Sequence, residues 1–205
     1  MIGILDNGMG NLRSVWNAVY ELGYDPVLVE DDTTLDDLSH LVIPGVGHFG
    51  SAMRNLVATG RDHRIVEFAA SGRPILGICL GMQLLASRGT EGGDTAGLGL
   101  IPGAVTLLPA ADGLRLPHVG WNTVHVRHAH PVFRGLKPNR DFYFVHSYAM
   151  RCDADTDWLA ETDYGEPFTC IAGRANVIGF QFHPEKSQVS GLLLLKNFCA
   201  WDGTC

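Results

Sequence analysis

The stretch that most constrains the fold is residues 73–89, RPILGICLGMQLLASRG. Its apolar run Ile75-Leu76-Gly77-Ile78 is short and follows Pro74, as a core strand of a parallel sheet does. The residues after it predict a tight turn at Cys79 and then a helix. Gly77 and Gly81 stand two positions either side of Cys79, a small-x-Cys-x-small arrangement that is the thiol form of a nucleophile elbow. Glycines suit such a turn because its backbone is strained and side chains beside the nucleophile would collide with neighbouring strands or substrate. A helix opening at the sulfur also presents free N–H groups and a positive dipole end, which favours a thiolate. The same window fits a buried, inert core thiol, and nothing inside it chooses between the two.

The flanking chain tells what kind of sheet receives this strand. Apolar runs at 2–5, 26–29 and 40–43 read as further strands. Between them lie a helix with Leu12, Val15, Val19 and Leu22 on one face, stopped by Gly23, and a short turn or helical segment around 34–38. Helical patterning follows through Ala52, Met53 and Leu56 and again over 65–69. Strands alternating with helices predict a parallel α/β sheet. The glycine-rich turn at 6–11 lacks the third glycine of GxGxxG, so a plain turn or partner contact ranks above dinucleotide binding. A second glycine-rich loop, Pro44-Gly45-Val46-Gly47-His48-Phe49-Gly50, follows the third strand. Loops at the carboxyl ends of parallel strands line the ligand crevice, so this loop and the Cys79 turn are expected to converge and offer backbone N–H groups to a reacting carbonyl. Two ordinary strand-to-helix turns are the alternative.

Residues 89–98 read as a flexible loop, and beyond them the pattern shifts to shorter strands at 105–108, 118–126, 142–149, 157–161, 168–172 and 177–182, closed by an apolar helix at 190–201. The expected fold is an open, mostly parallel sheet flanked by helices with a mixed or antiparallel C-terminal extension. At 205 residues, a single domain spanning 1–205 is expected. Composition narrows the function classes. Hydrophobic residues are 46% of the chain, yet no apolar stretch is long enough to cross a bilayer. The net charge of −7 carries no Lys/Arg cluster, which argues against a large nucleic-acid footprint. The acidic run of Glu30, Asp31, Asp32, Asp36 and Asp37 is explained by a solvated face. The start shows no basic, cleavable leader, and the five cysteines are scattered and odd in number, so a reducing cytoplasm is expected. No metal is expected at His125, His128 and His130, which lack an accompanying ligand pattern. Cys152, Cys170, Cys199 and Cys205 have no glycine framing and read as bystanders.

A thiol nucleophile needs a base. The last strand runs into His183-Pro184-Glu185-Lys186-Ser187. A histidine at another strand's carboxyl end, with a carboxylate two residues on to orient it, meets the logic of a catalytic triad. Pro184 stiffens the link between the two. Alone the tripeptide says little; beside an elbow cysteine it becomes a specific pairing.

GICLGMQ at 77–83 together with FHPE at 182–185 resembles the class I glutamine amidotransferases, along nearly the whole chain. DNGMGNLRSV at 6–15, PGVGHFGSAM at 44–53, PHVGWN at 117–122, YFVHSY at 143–148 and FQFHPEKS at 180–187 are similar to one branch, the glutaminase subunits of imidazole glycerol phosphate synthase. The resemblance implies a flavodoxin-like core, L-glutamine as substrate and no cofactor. It implies Cys79 as nucleophile, His183 as proton shuttle and Glu185 as its orienter. The oxyanion would be held by the main-chain N–H groups of Leu80 and, after the PGVG loop rearranges, Val46. Gly45, Gly47, Gln83, Ser147 and Tyr148 match positions that hold glutamine. Asn11, Trp121, Asn122 and Lys186 match positions facing a (βα)8-barrel synthase subunit, with which a heterodimer is implied and to which ammonia is passed. Asn7 and His48 depart from the pattern, tyrosine and a small residue being usual there. They leave open a paralogue feeding another synthase, such as an amidino-sugar enzyme of surface polysaccharide. A non-catalytic interaction subunit is the alternative from another class, against which the intact Cys79, His183 and Glu185 speak.

Overall fold

A computed structural model of the chain describes every residue except 7, 9, 10, 31, 32, 110–112 and 205. Asn7, Met9 and Gly10 of the first glycine-rich turn, Asp31 and Asp32 of the acidic run, and Cys205 therefore lie outside the described residues. The chain begins with β1 (Ile2–Leu5), α1 (Leu12–Glu21), β2 (Pro26–Val29), β3 (His40–Gly45), α2 (Phe49–Ala58), α3 (Arg61–Ala70), β4 (Ile75–Cys79) and α4 (Leu80–Leu84). It continues through β5 (Ala86–Gly89), β6 (Thr95–Ala96), β7 (Ile101–Leu107), β8 (His118–Val126), β9 (Arg140–His146) and β10 (Tyr148–Cys152). The last elements are β11 (Trp158–Tyr164), β12 (Glu166–Arg174), β13 (Val177–Phe180) and α5 (Gln188–Cys199). None of these helices is long and apolar enough to span a membrane.

Nine strands form one sheet in the order β2-β1-β3-β4-β13-β12-β11-β8-β9. The first five are parallel neighbours, and every pairing beyond β13 is antiparallel. The parallel half has the 2-1-3-4-5 order of flavodoxin-like sheets, with β13, from the far end of the chain, in fifth place. That order sets the carboxyl ends of β1, β3, β4 and β13 side by side, where Cys79 and His183 both emerge.

The parallel strands are apolar because both faces are covered. Val42 of β3 packs into one core with Val15 and Val19 of α1 and Leu194 and Phe198 of α5. Its neighbours Leu41 and Ile43 point the other way, into a second core with Phe49 and Leu56 of α2 and Ile65 and Phe68 of α3, as period-two alternation requires. Each such fully buried side chain contributes about 1.5–3 kcal/mol. Of the α1 stripe, Val15 and Val19 are buried, joined by Ala18, while Leu12 and Leu22 pack half-buried against the same core. Gly23 follows at φ 84°, the left-handed turn that ends the helix.

Three local expectations change. The helix after Cys79 stops at Leu84, and Ala86–Gly89, expected to continue it, is strand β5. Residues 89–98 are not a free loop, since Thr95–Ala96 pairs with β5 as β6. Residues 142–149 are two strands: the chain leaves the large sheet after His146 and enters a second, four-stranded sheet at Tyr148, ordered β10-β7-β5-β6. The small sheet packs Ala86, Ile101, Val105 and Met150 into the core beneath α2 and α3. The C-terminal half thus extends the first sheet and also builds a second one.

Candidate active site

At the elbow, Cys79 ends β4 and caps α4 with φ 55° and ψ −109°, a conformation that L-residues avoid at a cost of about 1–3 kcal/mol. The glycines explain how the strain is held. A Cβ on Gly81 would lie 1.7 Å from the carbonyl oxygen of Ile43, and one on Gly77 would lie 2.6 Å from the backbone of Gly81 and Met82. Only glycines let β3, β4 and the turn close on one another. Gly45 is the register partner of Cys79, which brings the PGVG loop alongside. Leu80 is the first residue of α4, so its N–H is one of those a helix leaves without an intrahelical acceptor.

His183 lies three residues beyond β13 and is fixed by its backbone. Its N–H donates to the Tyr143 carbonyl at 2.9 Å. Ser187 Oγ donates to the His183 carbonyl at 2.6 Å and accepts from the Tyr143 N–H at 3.0 Å. Pro184–Lys186 then makes a single 3₁₀ turn, which swings Glu185 back so that its Oε1 accepts from His183 Nδ1 at 2.8 Å. Both side chains are buried, at 1% and 0% exposure. The Asn11 amide also donates to Glu185 Oε1 and lies 3.4 Å from His183 Nδ1. With Nδ1 engaged, His183 Nε2 is buried and closes no hydrogen bond among the described residues. Burial alone pushes this imidazole's pKa down, but interaction with the Cys79 thiol and with Glu185 outweighs it and raises the value to about 9.

A cavity of about 260 Å³ opens on the thiol, lined by Val46 and Gly47 of the PGVG loop, Leu80 and Gln83 of α4, and Val145, Ser147 and Tyr148 from the crossing between sheets. The two glycine loops therefore converge as expected. Gln83, expected to face the ligand, spends its amide protons on the Tyr148 carbonyl (2.9 Å) and Gln181 Oε1 (3.2 Å). Of the residues expected at a partner face, Trp121 is exposed at 49% and meets the Tyr143 ring edge-on at 6.0 Å. The Lys186 ammonium lies over that same ring at 5.8 Å. The other two make hydrogen bonds within the chain: Asn11 to Glu185, and Asn122, at the surface, to the Asp163 carbonyl at 2.7 Å.

Two groups at the cavity escape the sequence reading. Glu91 lines it, with its carboxylate accepting the Phe49 N–H at 2.7 Å; no local signal marks it, because its segment reads as loop. Gln181, fully buried, points its Nε2 at Cys79 Sγ from 3.9 Å. Its signal is available in the sequence, a lone amide in the apolar run Val177–Phe182 that needs a partner once buried. His48 acquires a local role, since its Nδ1 accepts the Ser51 N–H to cap α2 and its ring fills the place of a Cβ on Gly92.

The remaining candidates disperse. His125 faces Glu161 across β8 and β11, His128 pairs with Asp155 at 3.2 Å, and His130 accepts from the Val132 N–H at 3.1 Å, held neutral by burial with a pKa of about 4. Among the described residues no group of three or more such side chains could hold a metal ion. Burial pushes the Cys152 and Cys199 thiols up to about 12 and Cys170 well above the usual range, which leaves them inert. A strained thiol beside an imidazole and a carboxylate, with backbone donors around one cavity, can carry acyl transfer through a thioester.

The chain aligns over 96% of its length, and 92% of the relative's, with the imidazole glycerol phosphate synthase subunit HisH of Symbiobacterium thermophilum at 48% identity. It aligns with the subunit of the same name from Wolinella succinogenes at 42% identity, covering 97% and 98% of the two chains. A crystal structure of a glutamine amidotransferase superposes with a TM-score of 0.76 over 99% of both chains at 21% identity, which speaks to the fold. The family model of class I glutamine amidotransferases matches residues 3–200, and the chain belongs to that family.

Proposed function

We propose that this chain is the glutamine-hydrolysing subunit of an imidazole glycerol phosphate synthase, acting as one amidotransferase domain over residues 1–205 in the cytoplasm. The observation that carries the chemistry is the strained Cys79 at the elbow beside His183, whose other nitrogen is held by Glu185 at 2.8 Å. The near full-length identity to synthase subunits supports the choice of branch.

In this reading the Cys79 thiolate attacks the side-chain amide carbon of L-glutamine. The tetrahedral oxyanion takes hydrogen bonds from the Leu80 N–H and, once the Pro44–Gly47 segment rearranges, from the Val46 N–H. His183, protonated at Nε2, gives its proton to the departing nitrogen, so ammonia leaves and a γ-glutamyl thioester remains. The now neutral imidazole takes a proton from water, whose oxygen attacks the thioester; the C–S bond breaks, glutamate departs, and the Cys79 thiolate and the protonated His183 are restored. Glu185 fixes the ring and stabilises its cation. Gly45, Gly47, Ser147 and Tyr148 shape the backbone around glutamine. Glu91, the one carboxylate lining the cavity among the described residues, receives its α-ammonium group. Ammonia passes to a (βα)8-barrel synthase subunit docked on the face that carries Trp121 and Lys186.

The test is coexpression with a candidate barrel subunit and measurement of glutamate release with and without that subunit's nucleotide ligand. The expected result is hydrolysis stimulated by the liganded barrel, with Cys79→Ala abolishing hydrolysis and leaving the complex intact. Stimulation only by a sugar-modifying synthase would move the chain to another branch, and unchanged hydrolysis in Cys79→Ala would remove the nucleophile assignment.

A further inference from the structure

Two buried histidines outside the triad form a directional pair whose far end lies on the cavity wall. His118 and His146 face each other in register across β8 and β9, are 3% and 6% exposed, and join through His118 Nδ1 and His146 Nε2 at 3.1 Å. His146 Nδ1 lies 2.8 Å from the Tyr148 carbonyl. A carbonyl can only accept, so His146 Nδ1 carries the proton; a neutral ring then has an accepting Nε2, and His118 Nδ1 must donate. His118 Nε2 is left as an acceptor, 3.4 Å from the Asn122 amide nitrogen. Every proton position is thus set by the last group in the line, with both rings neutral. Burial pushes His118 to about 4 and His146 to about 3, so neutrality holds across ordinary pH.

Packing alone does not call for this pair. His118 stacks on Tyr164 and Phe144 at 4.1 and 5.0 Å, an aromatic slot that phenylalanine would fill without a polar group to satisfy. The hydrogen bonds act where the chain crosses between sheets. Ser147 is the one residue between β9 and β10, and it and Tyr148 line the same cavity as Val46 and Cys79. The carbonyl that ends the pair also accepts from Gln83, whose amide reaches Gln181 and so the thiol.

We propose that His118 and His146 are positioning residues for glutamine, a neutral imidazole pair that fixes the Ser147–Tyr148 wall relative to Cys79 and to the strand bearing Asn122. This rests on the glutaminase reading and deepens it. The experiment compares His118→Phe, which fills the slot but breaks the line, with His118→Asn, whose amide can replace the Nδ1 donor, in the complex with the barrel subunit. With folding checked by thermal melts, His118→Phe should raise KM for glutamine about five- to tenfold, as loss of a hydrogen bond implies, while kcat changes less than about threefold. His118→Asn should restore most of the KM. An unchanged KM in folded His118→Phe, or a loss in His118→Asn as large as in His118→Phe, overturns the proposal. Should His118→Phe not fold, imidazole ¹⁵N spectra of the unaltered protein decide. Both rings should be neutral with the proton on Nδ1, and any other tautomer or charge state refutes the line. Absence of glutamine hydrolysis in the unaltered complex would instead indict the glutaminase reading itself.

Discussion

Two buried imidazoles near the same thiol, His183 and His146, have opposite fates. Burial is the largest influence on each and favours the neutral ring in both. His183 is nevertheless raised to about 9, because Cys79 and Glu185 reward its cation. His146 is lowered to about 3, because burial goes unopposed except by the Tyr148 carbonyl, and the neighbouring imidazoles His118 and His183 add a little to the same effect. Two partners, Cys79 and Glu185, separate the ring suited to carry a proton from the ring suited to hold a shape. Burial of a histidine therefore says little about its role until the charges around it are named.

The difference can be broken most severely by removing the proton carrier. His183→Asn should lower kcat for glutamine by at least ~10⁴-fold, read as glutamate release at saturation. Glu185→Gln comes next: it gives His183 a neutral partner like that of His146, and should lower kcat by roughly 10³- to 10⁴-fold. Titration of His183 by NMR should show its pKa falling from about 9. The same substitution has a stability signature. A folded pKa of about 9 against an ordinary 6.5 means a contribution fully present below pH 6.5 and lost as pH rises through 9. Denaturation of the native protein and Glu185→Gln should therefore converge across that window; a constant gap would show that Glu185 does not act through the imidazolium. Smallest is Asn11→Ala, which takes one donor from the Glu185 carboxylate and should lower kcat about tenfold. Native activity there would leave the orienting task to Glu185 alone.

The parallel half of the fold is legible because its information is local. Ile75–Ile78, Ile2–Leu5 and His40–Ile43 are short apolar runs with glycine turns at their ends, and a parallel strand covered on both faces needs nothing else. The elbow is legible for a related reason: Gly77 and Gly81 mark it at fixed spacing from Cys79. The small sheet is not, because Ala86–Gly89 becomes a strand through pairing with β7, and ASRG itself shows neither alternation nor an apolar run. Ser147 hides a change of sheet inside what reads as one strand at 142–149. Glu91 is lost with its segment, while the His118–His146 pair depends on a cross-strand register that no spacing along the chain encodes. Asn11 reads as a partner contact and lies on Glu185 because α1 begins beside the carboxyl end of β13.

The contact between Gly81 and the Ile43 carbonyl, where no Cβ fits, is a joint of main chain against main chain. A joint of that kind has no rotamers to sample, so the spacing between the two strands at the sulfur is fixed by main chain and not by the choice of a side chain. The room for variation there is nil: any residue larger than glycine at position 81 would have to push β3 and the elbow apart before the fold could close.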